Sequence, residues 1–163
     1  MRIFVPATVA MLQVLLEKGE LQPLGGTAFA ATPAQRESYI AGDTEELEYA
    51  AMLDAARASL RLLATEAEAM PRRAVVAADS ADVTLRPDLD PAVVRVGTPI
   101  TMSQIAAIHL DTGEAEQAVK AAVAAVDAAD LGDADAEFTL GDAEGHELAW
   151  YAPQELPFVL ELL

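Results

Sequence analysis

Residues Asp43 to Ala69 read DTEELEYAAMLDAARASLRLLATEAEA, and the spacing predicts one long helix. Asp43 is placed to accept from backbone N–H groups that lack a helical partner, and Glu46, three residues on, completes a capping box. Glu45, Glu46 and Glu48 put negative charge where the helix dipole favours it, which explains an acidic first turn without catalysis. Tyr49, Leu53, Ala56, Leu60, Leu63, Ala67 and Met70 recur at steps of three and four and form one apolar stripe. Leu47, Ala51, Ala55, Ala58 and Leu62 form a second stripe of smaller residues. Asp54, Arg57, Arg61, Thr65 and Glu68 lie between them as the wet face, and Pro71 stops the run. Two stripes predict a helix packed on a sheet and touched by another helix.

Outward from that helix, Arg2–Val5 reads as a buried strand ended by Pro6, and Thr8–Lys18 as a helix with Met11, Leu12, Leu15 and Leu16 on one face and Gly19 as its stop. Thr27–Ala31 reads as a second strand, so strand, helix and strand are expected to form a parallel crossover. Thr32 and Pro33 open a short helix that runs to about Ile40 and stops at Gly42. Arg72–Ala78 is a strongly apolar strand, Asp79–Pro91 a surface loop, and Val93–Val96 and Ile105–Leu110 two further strands. Thr112 caps another helix, with Ala115, Val119, Ala122, Val123 and Val126 on its apolar face. Phe138, Leu140, Leu148 and Trp150 alternate with polar residues around Gly141–Gly145, which predicts a hairpin; a helix over 133–141 is the alternative for its first arm. Pro153 ends the last strand, and Leu156–Leu163 reads as a terminal helix. The element order predicts one α+β domain: a mixed sheet of about six or seven strands with helices mainly on one face, or alternatively a three-layer α/β arrangement.

Composition narrows function. The chain has 163 residues, no cysteine, no asparagine, 35 alanines, two lysines and eight arginines. The absence of cysteine removes disulfides, thiolate metal sites and a cysteine nucleophile, and fits a cytoplasmic setting. Net charge is −17, and it is uneven: residues 1–81 carry 7 basic and 11 acidic groups, residues 82–163 only 3 basic and 16 acidic. Such a chain repels nucleic-acid phosphates and anionic membranes, so neither is an expected partner. A basic protein, or a second copy of the chain, is the expected one; charge alone also allows an acidic decoy that imitates nucleic acid. The apolar run after Arg2 resembles a signal peptide with Ala28-Phe29-Ala30 as its cleavage site, but Lys18 and Glu20 make the intervening segment too charged. No stretch reaches the length of a membrane span.

Motifs for chemistry are sparse. None of Ser38, Ser59, Ser80 and Ser103 sits in a nucleophile elbow, and Gly25-Gly26 lacks the further glycine and lysine of a phosphate loop. No catalytic residue, metal ligand or cofactor site is therefore predicted. His109 stands two residues before Asp111, so on a strand both point the same way, the geometry of an oriented base and the kernel of an alternative reading as a carboxylate- and His-dependent hydrolase or transferase. His146, beside Gly145, reads as solvated. Asp127, Asp130, Asp133, Asp135, Glu137, Asp142, Glu144 and Glu147 form a run without lysine or arginine. Asp133, Asp135, Glu137 and Glu144 match positions of a calcium loop, but Phe138 stands where the bend demands glycine, so a solvated acidic surface is the better reading. At the C-terminus, Trp150, Tyr151, Leu156, Phe158 and Leu160 are the candidate interface residues, the competing reading being that LPFVLELL simply docks on the chain's own sheet. Deleting 156–163 separates the two.

The segments MRIFVPAT, GTAFAATPAQRE, DTEELEYAAMLDAARASLRLL, RRAVVAAD and HELAWYAPQELP together resemble a family of uncharacterised actinobacterial proteins over nearly the whole chain. The resemblance implies a bacterial cytosolic protein, carries no assigned activity, and transfers no functional residue. The function expected is non-catalytic: binding or regulation through a protein partner or self-association.

Overall fold

Capping chemistry sets the first elements where the sequence places them. A computed structural model describes residues 1–39 and 42–163. Strand β1 (Arg2–Ala7) leads into helix α1 (Val9–Lys18) through Thr8, whose hydroxyl accepts from the Met11 N–H at 3.2 Å and donates to Glu66 at 2.8 Å. Gly19 closes α1 at φ 74°, a left-handed conformation open to glycine at little cost. After β2 (Glu20–Leu21) and β3 (Thr27–Phe29), Thr32 caps α2 (Pro33–Ser38), accepting from the Gln35 N–H and donating to the Pro91 carbonyl. The predicted end of that helix, Ile40, lies outside the described residues. The long helix α3 (Thr44–Thr65) begins as expected, with the Glu46 N–H donating to Asp43 at 2.9 Å. It ends earlier than Pro71 requires: Glu66 caps it, and Glu68 turns the chain at φ 52°.

Strands β4 (Ala74–Asp79), β5 (Val83–Leu85), β6 (Val93–Val96), β7 (Ile100–Thr101) and β8 (Ile105–Leu110) follow, then helices α4 (Glu116–Asp130) and α5 (Ala134–Glu144), strand β9 (Ala149–Tyr151) and helix α6 (Leu156–Glu161). The fold is α+β: a seven-stranded sheet in the order β5-β6-β3-β1-β4-β8-β9, with β2 and β7 as a separate pair. Every pairing is antiparallel, so the parallel crossover expected around α1 does not form. β3 instead pairs antiparallel to β1 at Phe4–Phe29, entered from a tight turn at Leu24–Gly26. β5 is a strand inside the stretch read as a loop.

Alternation along the strands builds two cores. Ile3, Val5, Ala7, Val76, Ala78, Ile108 and Leu110 face α1 and α6, meeting Leu12, Leu15, Leu156 and Val159. Phe4, Phe29, Val75, Ala77, Val93 and Ala107 face α3. The face of α3 that they meet is the small-residue one, Ala51, Ala55 and Ala58 with Met52, while Leu60 and Leu63 turn to a third cluster with α4 and α5. Tyr49 and Leu53, placed by the sequence in the principal apolar stripe, stay exposed. Alanine lets the helix axis approach the sheet closely, and the larger leucines fill the wider gap to the neighbouring helices. Most helical residues thus lie on the α3 side, with α1 and α6 covering the other face. The expected hairpin of residues 138–150 is replaced by helix α5 and the short strand β9, as Asp133 accepts from the Ala136 N–H and starts a helix.

Candidate functional site

Between α3, the end of α5 and the β8–β9 edge of the sheet lies a cleft of two lobes that share Tyr49, Leu53 and Glu144. The first lobe, about 230 Å³, is lined by His109, Trp150, Glu147, His146, Leu148 and Met52 together with the shared three. The second, about 270 Å³, adds Asp54, Ala56, Arg57, Leu60 and Arg73. Each alone is smaller than the roughly 300–1,000 Å³ of drug-sized ligand sites. His109 and Trp150 stand opposite one another in the β8–β9 register, so both side chains rise from the same face of the sheet toward α3. Two large aromatics remain wet in this small area: Tyr49 is 52% and Trp150 60% exposed.

A buried ion pair fixes the wall of the cleft. The Arg73 guanidinium donates twice to Asp111, both at 2.8 Å, and the Arg73 N–H donates to the same carboxylate at 2.8 Å. The guanidinium also donates to the His146 carbonyl at 2.8 Å, tying the turn after α5 to the start of β4. Both side chains are almost wholly buried, 2% and 0% exposed, so each charge depends on the other. Asp111 is therefore committed to Arg73 and does not orient His109, as the His109–Asp111 spacing suggested. Burial holds the His109 imidazole below its ordinary value, and among the described residues no hydrogen bond reaches the ring to orient it as a base.

Above the second lobe, Arg57 bonds Glu137 at 2.6 Å and Asp130 at 3.1 Å, and Arg61 bonds Asp130 at 2.7 Å. These bonds hold Asp130 and Glu137 below the usual carboxylate range, with Arg61 the largest influence on Asp130 and Arg57 on Glu137. Asp54 moves the other way, raised by burial and by the nearby Asp90. Of the acidic run, Asp130 and Glu137 are thus neutralised, whereas Asp127, Asp133, Asp135, Asp142, Glu144 and Glu147 are exposed and have no ion-pair partner among the described residues. The calcium-loop reading fails on geometry, since Asp133 caps α5 and Asp135 and Glu137 lie in its first turn, where a helix cannot wrap an ion.

The five interface candidates do not form one patch. Trp150 faces the cleft; Tyr151, its neighbour on the strand, packs against the opposite core. Leu156 is fully buried in that core and Leu160 packs against it, while Phe158 is 67% exposed on α6. Tyr49 and Arg73 escaped the sequence reading: Tyr49 reads as a core residue of α3, and Arg73 as part of the apolar strand Arg72–Ala78. Two arginines placed directly before an apolar strand were the available signal, because a cation at the mouth of a buried strand needs a partner.

Fold and cleft together define a small α+β protein with an aromatic and acidic cleft beside a buried ion pair. The chain belongs to the family of unknown function DUF6912, which matches residues 1–160. No curated protein and no solved structure matches it. Among the described residues, no helix is long and apolar enough to cross a membrane.

Proposed function

We propose that this is a non-catalytic cytoplasmic binding protein, bacterial and of actinobacterial type, that meets a basic protein partner through the α4–α5 side of the molecule. The exposed, unpaired carboxylates that border the Tyr49–Trp150 cleft carry this reading: charge without internal partners is free to attract an external cation, and exposed aromatics give a contact its apolar part. A composition without cysteine or asparagine, rich in alanine and with eight arginines to two lysines, supports the setting. Self-association is the weaker form of the idea, because copies of net charge −17 repel at low ionic strength. The hydrolase or transferase alternative loses its oriented base once Asp111 is held by Arg73.

Capture of the tagged protein's partners from native extract, at low and at high ionic strength, tests the proposal. Identified basic proteins retained at low salt and released at high salt are the expected result. An empty capture, or partners that are neutral and indifferent to salt, overturns it.

A further inference from the structure

Building on that reading, we propose that the His109 lobe of the cleft receives one cationic side chain of the basic partner, the ammonium of a lysine or the guanidinium of an arginine. Glu144 and Glu147 would supply the counter-charge, and Tyr49 and Trp150 the aromatic walls. The lobe has carboxylates and aromatics in its lining but no lysine or arginine of its own. The two guanidiniums of the adjoining lobe are already matched, Arg73 by Asp111 and Arg57 by Asp130 and Glu137. Met52 and Leu148 add an apolar surface for the aliphatic stem of such a side chain. A volume of about 230 Å³ suits a single side chain and not a cofactor. Aromatic faces attract cations through the ring quadrupole, and carboxylates at the rim disfavour neutral or anionic occupants.

Trp150 is the only tryptophan of the chain, so its fluorescence reports on the lobe directly. Oligolysine and oligoarginine peptides, with oligoglutamate as control, are titrated into the full chain and followed by Trp150 emission and by calorimetry. A saturable emission change with a cationic peptide is expected, and the stronger of the two peptides identifies the cation. The half-saturation point should rise about tenfold or more in Glu144→Gln/Glu147→Gln. It should stay within about twofold in Glu17→Gln/Glu161→Gln, which removes equal charge from α1 and α6 on the other side of the sheet. All four glutamates are exposed, and circular dichroism verifies that both variants fold. Trp150→Ala should weaken the calorimetric affinity several-fold, about what one aromatic–cation contact provides. Heat of binding with a silent Trp150 and equal weakening by both double variants overturns the lobe while leaving the basic-partner reading intact. No heat with either cationic peptide at low ionic strength overturns both, and an equal response to oligoglutamate overturns the cationic occupant.

Discussion

At the scale of single residues, the least replaceable groups are polar ones in apolar surroundings. Ser59, fully buried, donates to the Ala7 carbonyl at 2.7 Å and accepts from the Ala74 N–H at 3.1 Å, so a helix hydroxyl satisfies the ends of two paired strands. Arg73 and Asp111 do the same with full charges. Asp111→Ala leaves a guanidinium buried without its partner and is expected to cost about 3–5 kcal/mol, measured as the shift in urea unfolding free energy. Arg73→Met/Asp111→Leu, which removes both charges, should cost clearly less than Asp111→Ala, and a larger cost would show that the pair itself and not the orphaned charge sets the loss. His109 makes a pH argument. Its folded value is depressed from 6.5, so below that pH the unfolded chain takes up a proton that the folded chain refuses. The stabilisation is complete above about pH 6.5 and is lost as pH falls through the folded value. Glu144, Glu147, His146 and Tyr49 face the same lobe and are common to wild type and variant. His109→Gln should therefore flatten the decline of the urea midpoint between neutral and mildly acidic pH, and an unchanged slope would assign the decline to other groups.

At the scale of elements, α3 shows what periodicity can and cannot say. Its start was legible in Asp43 and its two stripes in the 3.6-residue repeat, because both are local properties. Which stripe meets the sheet was not legible, since that depends on how wide a gap each neighbour leaves. Hydrophobicity favoured the stripe of Tyr49 and Leu53; packing favoured Ala51, Ala55 and Ala58, because the Phe4–Phe29 pair already fills the space beneath the helix. Substitutions should expose this difference. Ala51→Leu or Ala55→Leu inserts volume into a closed contact and is expected to lower stability by about 1–3 kcal/mol. Leu53→Ala, at a 40% exposed position, should cost about 1 kcal/mol or less by thermal or urea unfolding. The reverse ranking would mean that the leucine stripe carries the sheet contact. The same limit explains the mistaken hairpin. Phe138 and Leu140 alternate like strand residues, but only Leu140 is buried while Phe138 is exposed, which is also one face of a helix. In so short a segment the cap at Asp133 decides, and it starts α5. Site residues fared similarly: Trp150 and the glutamates could be nominated one by one, whereas their meeting with Tyr49 and His109 needed a β8–β9 register and an α5 that the sequence left open.

At the scale of the whole molecule, charge is distributed against the fold's own interest. Arg57 and Arg61 clamp the α4–α5 hairpin to α3 by neutralising Asp130 and Glu137, yet the same hairpin and the turn after it keep six further exposed carboxylates without a cationic partner among the described residues. The clamp is partly exposed, and pairs of this kind contribute about 1 kcal/mol or less each. Self-repulsion acts over every close pair of the surplus anions and is screened within a Debye length of about 10 Å at 0.1 M salt. Salt thus weakens a few attractive contacts and many repulsive ones, and with a net charge of −17 the repulsive sum should win. The melting temperature is expected to rise as sodium chloride increases from very low to about physiological ionic strength, by a few degrees for a domain of this size. Arg57→Gln, which releases Glu137 into the surplus and leaves Asp130 to Arg61 alone, should steepen that rise while lowering the starting value. A melting temperature that falls with salt in the wild type would mean that the arginine clamp outweighs the repulsion; the surplus charge would then no longer mark this side as one awaiting a cation.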